Sequence, residues 1–328
     1  MRRREFIKLL GSTAGWPLVA RAQEPMPVVG FLGSTTPRVY KENFVDVIQA
    51  GMADGGYHEG RNVAFEYRWA NHQPEQLPQL ALDLVRRQVA VIVTTGGNVP
   101  VHAAKAATST IPIVFATGAD PIESGLVKAL SGSGTNVTGV TFYQNALWPK
   151  RIELVREALP GVTVFAMLMH AETAAQGTKE NIESAAVAAG IKLLTIVTAA
   201  QADFISAFKE IADKRAEVIL VDNHAHIHSR RDEIIALAIS QRLPTMFYNI
   251  RGVREGGLLS YGPQLESVSE ILRQAGLYVA RILRGENPAV LPIQQPTRFE
   301  LAVNLKTAKA LGVTIAPTVL ARANEVIE

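Results

Sequence analysis

Residues 28–35 read VVGFLGST, a continuous apolar run from Val28 to Leu32 that closes on Gly33-Ser34-Thr35. A run apolar at nearly every position suggests a strand buried on both faces, as in a parallel sheet covered by helices. The glycine and hydroxyl residues that follow mark the polar loop at the strand's end. Working outward, Phe44, Val45, Ile48 and Met52 recur at helical spacing. Strands are then expected at Val63–Tyr67, Val89–Thr94, Ile113–Ala116 and Val137–Thr141. Helices fall between them at Leu77–Arg86 and from Asn98 through Ala107. Asp120-Pro121-Ile122-Glu123 reads as a helix start, with Asp120 as N-cap, Pro121 in the first turn and Glu123 closing a capping box.

The pattern restarts after residue 142. A helix opens at Pro149, and Val162–Met169 is a strongly apolar strand. Helix 173–189, strand 191–197, helix 202–214, strand Val218–Val221, helix 229–241 and strand Thr245–Phe247 follow. The tail adds a strand at Leu258–Tyr261, a long helix Leu265–Leu283, a Pro-rich passage at 288–296, a strand at Phe299–Val303 and a helix from Leu305. Repeated strand–helix units argue an α/β fold of two doubly wound parallel-sheet lobes. The expected division is 23–142 plus about 252–285 in the first lobe, and 143–251 plus about 297–328 in the second. The hinge crossovers then lie near 142–147, 247–252 and 286–297. A length of 328 residues suits two such lobes.

The formal charge of +3 is unevenly placed. Residues 1–22 carry Arg2, Arg3, Arg4, Lys8 and Arg21 against Glu5, so the rest of the chain is close to neutral, at −1. A basic start, a short apolar stretch from Leu9 to Ala20 and small residues at Ala20 and Ala22 form an export signal. Arg3-Arg4-Glu5-Phe6-Ile7-Lys8 reads as its twin-arginine version. Cleavage after Ala22 leaves a chain expected in the periplasm, with no direct membrane insertion. Without its first segment the chain has no basic excess, and its basic residues form no aromatic-interleaved stripe, so no nucleic-acid partner is expected. The absence of cysteine excludes disulfides, thiolate metal sites and a lipidated anchor.

In open parallel sheets ligands bind beyond the carboxyl ends of strands, where strand order reverses. Ser34, Thr35, Thr95, Gly96 and Gly97 are the leading candidates, because hydroxyls and exposed amides at helix starts suit a carboxylate or other small anion. Ordinary turn and cap chemistry is the alternative reading of each. Thr117 and Asp120 stand in the next such loop, where Asp120 can cap a helix, hold a ligand amine, or both. In the second half the strand ends bring His170, Thr173, Asn223 and His224. The run His224-Ala225-His226-Ile227-His228 is either a metal-binding cluster or a strand-to-helix loop, and the second is preferred because no acid within it completes a ligand set. Phe142, Tyr248 and Tyr261 are candidates for an apolar face, with core or hinge packing as the alternative. Phosphate-loop, nucleophile-elbow and zinc-helix motifs are absent, so neither an enzyme nor a cofactor is expected.

The chain resembles the periplasmic substrate-binding proteins of ABC transporters, and more narrowly the family that includes tryptophan- and phenylalanine-binding members. The resemblance rests on Arg3–Lys8, Val28–Ser34, Ala119-Asp120-Pro121, GTNVTGVT at 134–141, GGLLSYGP at 256–263 and QPTRFELAVNLKTAKALG at 295–312. It implies a type I periplasmic binding fold with three crossovers. It also implies a small-molecule ligand delivered to an inner-membrane permease with a cytoplasmic ATPase. Ser34 and Thr35 match the hydroxyl residues such proteins carry at the first strand end. A Thr-Asp-Asn segment common among the aromatic amino-acid binders is here Val221-Asp222-Asn223-His224, which keeps Asp and Asn but loses Thr. That departure weighs against an amino acid and leaves a small organic acid or an amino acid, aromatic or branched, as the expected ligand. A ligand-sensing module for a receptor is the other reading, and a secreted α/β enzyme a third.

Overall fold

The computed structural model describes residues 26–37, 44–142, 145–174, 178–199 and 203–328. The expected export segment, 1–22, lies outside the described residues. The first lobe contains β1 (Val28–Gly33), α1 (Asp46–Asp54), β2 (Ala64–Trp69), α2 (Leu77–Arg86), β3 (Val91–Thr95), α3 (Asn98–Ala107), β4 (Ile113–Thr117) and β5 (Val137–Thr141). Its sheet runs β2-β1-β3-β4-β5, every pair parallel. The apolar run at 28–32 lies at its centre, with Phe31 facing one core and Leu32 the other.

The second lobe continues with α4 (Trp148–Ala158), β6 (Val164–His170), α5 (Lys179–Ala188), β7 (Lys192–Thr198), α6 (Phe204–Asp213) and β8 (Val218–Val221). It goes on through α7 (Ala225–Ser229), α8 (Arg231–Ser240), β9 (Thr245–Phe247), α9 (Ile250–Arg254) and β10 (Leu259–Pro263). After α10 (Leu265–Leu283) come β11 (Phe299–Asn304), α11 (Leu305–Leu311), α12 (Pro317–Leu320) and β12 (Glu325–Ile327). The sheet order is β12-β11-β10-β9-β8-β6-β7, parallel except where β10 meets β11. Separate cores fill its two faces.

Two expectations are corrected. The segment 252–285 does not belong whole to the first lobe: β10 pairs with β9 and β11 in the second sheet, whereas α10 packs on α1 and on the first sheet. The crossing expected at 247–252 is therefore absent, because the short α9 is itself the crossover that returns β10 beside β9. Among the described residues the chain passes between lobes after β5, at Gln264 between β10 and α10, and in the stretch between Gln294, bridged to Val140, and β11. Second, no helix grows from Asp120. Its Oδ1 accepts from the amides of Ile122 and Glu123 at 2.7 and 3.1 Å, as a cap does, but the chain turns back at Gly125 in the left-handed region. Glu123 closes no capping box and instead accepts from Asn181 Nδ2 of the second lobe at 3.1 Å. The helix expected at 229–241 is found as α8, with the short α7 before it, set apart by Arg230 (φ −117°, ψ 22°).

Among the described residues no helix is long and apolar enough to cross a membrane. The return helix α10 is fastened to α1 by glycine. An added Cβ at Gly276 would lie 2.0 Å from the Ile48 carbonyl oxygen, and one at Gly51 2.0 Å from that of Arg273. The two backbones touch, and only hydrogen fits between them.

Candidate functional site

Strand order reverses beside β1 in the first sheet, where β2 and β3 flank it, and beside β6 in the second, where β7 and β8 flank it. Each reversal opens a crevice at the carboxyl ends of the strands. At the first, Ser34 Oγ donates to the Gly96 carbonyl at 2.8 Å and ties the β1 loop to the β3 loop. Gly96 and Gly97 have φ of 90° and 95°, a region that side chains disfavour, and this turns the chain sharply into α3. Thr35 and Thr95 are each 1% exposed, and their hydroxyls lack a hydrogen-bond partner. Buried hydroxyls are normally paired, and the neighbouring Thr94 hydroxyl within β3 is unpartnered as well. Thr117 Oγ1 donates to Asn98 Oδ1 at 2.7 Å, bracing the start of α3 against β4.

Two residues that the sequence reading passed over stand at the end of β2. The Trp69 ring lies across Gly33, where a Cβ would come within 2.3 Å of it, and stacks at 10° on Tyr67. The following loop is sewn to the β1 loop, with the amides of Ala70, Asn71 and His72 donating to the carbonyls of Gly33, Thr35 and Ser34 at 2.9, 3.3 and 2.9 Å. Asn71 and His72 are held in the left-handed region (φ 51° and 63°), a strained arrangement typical of functional loops. The chain signal was available: Trp-Ala-Asn-His follows a strand, with Asn and His the types that best tolerate this conformation.

At the second reversal the rings of His170 and His224 stack face to face, centroids 3.7 Å apart and 4° from parallel. His226 lies 5.7 Å from His170. The His226 amide donates to His224 Nδ1 at 3.2 Å, so in the neutral ring the proton sits on Nε2. Below them Asp222 is fully buried, its Oδ2 accepting from the His170 amide at 3.0 Å. Burial pushes this carboxyl up, opposed by that amide, the nearby His224 and the Thr173 hydroxyl. Across the lobes, the His224 and His72 rings are 6.3 Å apart. The two crevices therefore face one another and close on one cleft.

The remaining candidates sit further out. Phe142, at the end of β5, is buried with its ring 6.1 Å from that of Phe44. Tyr261 stacks on Phe299 at the β10–β11 pair, away from the reversal at β6. Tyr248 is buried by the histidine run: its phenol, pushed up by burial, donates to His228 Nδ1. His228 is correspondingly held down to about 4 by burial and by the charges of Arg231 and Arg251. A histidine whose folded value lies below its unfolded one binds its proton less readily when folded. Its contribution to stability is thus complete above about pH 6.5 and is lost as pH falls towards 4, to the extent of about 3 kcal/mol. Urea unfolding of His228→Gln should show a flatter pH dependence than wild type over that window; parallel curves would refute the assignment. His102 is also held down by burial, and comparing the two proteins removes its share.

Arg151, in the first turn of α4, is fully buried. Its Nε donates to the Tyr261 carbonyl at 2.8 Å, and the guanidinium lies 4.5 Å from the Trp148 ring centre. Among the described residues no three His, Asp or Glu side chains are placed to hold a metal ion. A groove of about 1130 Å³ lies at the amino ends of β6 and β7, opposite the carboxyl ends, lined by α4, α5, the segments leading into those strands and Glu123. Its walls include Glu153, Arg156 and Glu157 and no residue of either reversal, so it is not the candidate site.

The chain matches the family model described as ABC transporter substrate binding protein over residues 40–327. It is 23% identical over 274 residues to a tyrosine-binding protein of Clostridioides difficile strain R20291, covering 83% of this chain and 76% of that one. Among solved structures it is similar to a conserved domain protein of Vibrio cholerae, with 30% identity, a TM-score of 0.74, and coverage of 92% and 99% of the two chains. It also superposes on a domain from Streptococcus pneumonia in complex with L-Trp, with 22% identity, a TM-score of 0.73 and the same coverages.

Proposed function

The chain belongs to the ABC transporter substrate binding protein family, with the two-lobed type I periplasmic binding fold, and from that premise we propose that it is the periplasmic component of an uptake transporter. In this reading it is exported by its twin-arginine segment, closes its lobes on a small organic acid or amino acid, and delivers it to an inner-membrane permease driven by a cytoplasmic ATPase. The ligand contacts are assigned to Ser34, Thr35, Thr95, Gly96, Gly97, Thr117 and Asp120 from the first lobe. His170, Thr173, Asn223 and His224 supply them from the second. Trp69, at the end of β2, is the source of apolar contact, whereas Phe142, Tyr248 and Tyr261 lie further out.

The observation that carries the reading is the meeting of both strand-order reversals at one cleft, with His72 and His224 facing across it. Hinge closure around a ligand excludes water and strengthens each polar contact inside. Named relatives that bind tyrosine or tryptophan support a ligand of that size. Ligand at a hundredfold excess over Kd adds about 2.7 kcal/mol to stability, which should raise the melting temperature by roughly 5 °C. A thermal-shift screen of amino acids and of aromatic and branched carboxylates checks this. If none raises the melting temperature, the reading is wrong. The delivery step is checked with permease and ATPase reconstituted in vesicles: loaded protein should stimulate ATP hydrolysis and empty protein should not.

A further inference from the structure

We propose that the protein forms a two-fold dimer in which the outer edge of β7 pairs with β7 of a second copy, joining the two second-lobe sheets into one. The dimer does not depend on the solute-binding reading above. Among the described residues the two sheets end in four edge strands, β2, β5, β7 and β12. An open edge presents a row of unpaired amides and carbonyls to any other strand, and proteins blunt or cover it. Three of these edges are managed in that way. On β2, Glu66 and Arg68 are tied in ion pairs with Asp83 and Arg87. β5 is covered by the return passage, where the Thr141 amide donates to the Gln294 carbonyl at 2.9 Å and the Gln294 amide to the Gly139 carbonyl at 3.1 Å. β12 has three residues, and its Glu325 is held by Arg254.

β7 is different. It is seven residues long, KLLTIVT, and its single charge is Lys192 at its start. Among the described residues no backbone hydrogen bond crosses its outer side. Val197 in the strand is 50% exposed, and Val187 of α5, at 78%, is the most exposed large apolar side chain of the described residues. Thr195 Oγ1 donates to Glu183 Oε1 at 3.3 Å, which sets that side of α5 over β7, and Val187 follows one helical turn later on the same side.

The strand that fits this edge is its own copy. An antiparallel two-fold about Thr195 sets Lys192 against Thr198, Leu193 against Val197, Leu194 against Ile196 and Thr195 against itself. Apolar residues then meet apolar ones on both faces of the joined sheet. The two lysines lie at opposite ends, and Glu183 near the centre is paired with Lys179 at 3.8 Å. Seven opposed positions exchange roughly six to eight backbone hydrogen bonds, and the Val187 side of each α5 adds apolar area towards what a stable interface requires. β7 belongs to the second lobe alone, so the first lobe of each copy stays free to close.

The test is sedimentation velocity of the exported protein at concentrations up to about 100 μM, well above a micromolar Kd. Twice the monomer mass is expected. Val197→Lys, at an exposed position, sets a cation against Leu193 of the second copy and should give a monomer whose circular dichroism is unchanged. The chain has no cysteine, so a single introduced one reports its own neighbourhood. Oxidised Thr195→Cys should give a disulfide-linked dimer, because directly opposed strand positions lie within disulfide reach. Val290→Cys, exposed in the return passage, should not. A wild-type monomer throughout that range overturns the proposal. So does a dimer that Val197→Lys leaves intact, or one that Thr195→Cys fails to link, since another surface then joins the copies. None of these results bears on solute binding, which its own screen decides.

Discussion

Arg151→Ala is expected to destabilise the protein by about 3–5 kcal/mol, measured as a lowered urea midpoint. Arg151 is a cation with no exposed surface, and burial pushes it down to about 9, still charged at neutral pH. It is held in place by the Tyr261 carbonyl at 2.8 Å, the Tyr248 carbonyl at 3.5 Å and the face of Trp148. Removing it leaves buried carbonyls short of a donor and opens a cavity the size of a long side chain. Arg151→Lys keeps the charge and loses the planar fork, so an intermediate loss is expected. The site should suffer too. Tyr261 lies three residues before the crossing at Gln264, and Tyr248 anchors His228, so looser strand ends lower ligand affinity as well as stability. A loss below about 1 kcal/mol for the alanine variant would mean that water enters and replaces the guanidinium.

Gly276→Val should cost as much or more, roughly 3 kcal/mol at the least. Alanine and valine are better helix formers than glycine, by about 1 kcal/mol at most, and that gain cannot compete with a Cβ 2.0 Å from a carbonyl oxygen and 2.7 Å from the Met52 amide. Only separation of α1 from α10 relieves the contact, and α10 is the segment by which the chain returns from the second lobe to the first. The exposed ion pair of Arg273 with Asp54 bridges the same helices, but exposed pairs contribute too little to hold them together. The expected result is a lower urea midpoint together with weakened ligand binding, because the first lobe loses part of its wall. An unchanged midpoint would show that the helices slide apart without cost.

Much of the α/β alternation was legible because its periodicities differ so sharply. Val28–Leu32 and Val162–Met169 announce buried strands by apolar continuity, and the long helix was read at its observed bounds, Leu265–Leu283. What failed did so for identifiable reasons. Asp120 has the side chain of a cap and uses it as one, but whether a helix follows depends on Gly125, where the chain reverses. The fate of β10 depended on which sheet had an open edge beside β9, a matter of pairing over distance that no local pattern encodes. In the candidate site, Ser34, Thr35, Thr95 and His170 could be named because they end strands. Trp69 and His72 also follow a strand, but Tyr67 and Trp69 look like core residues until the ring is seen across Gly33.

By itself, then, the sequence determined the α/β class, the doubling into two lobes, the family resemblance and the charge that separates the first 22 residues from the rest. These are properties of local composition and period, which a chain carries wherever it lies. The tertiary structure decided the strand orders, the crossing points, the burial of Arg151 and the meeting of His224 with His170 on one side and His72 on the other. Those depend on contacts between residues far apart in the chain. His170 and His224 are 54 positions apart in sequence, yet their rings lie 3.7 Å apart because β6 and β8 pair in register and end side by side.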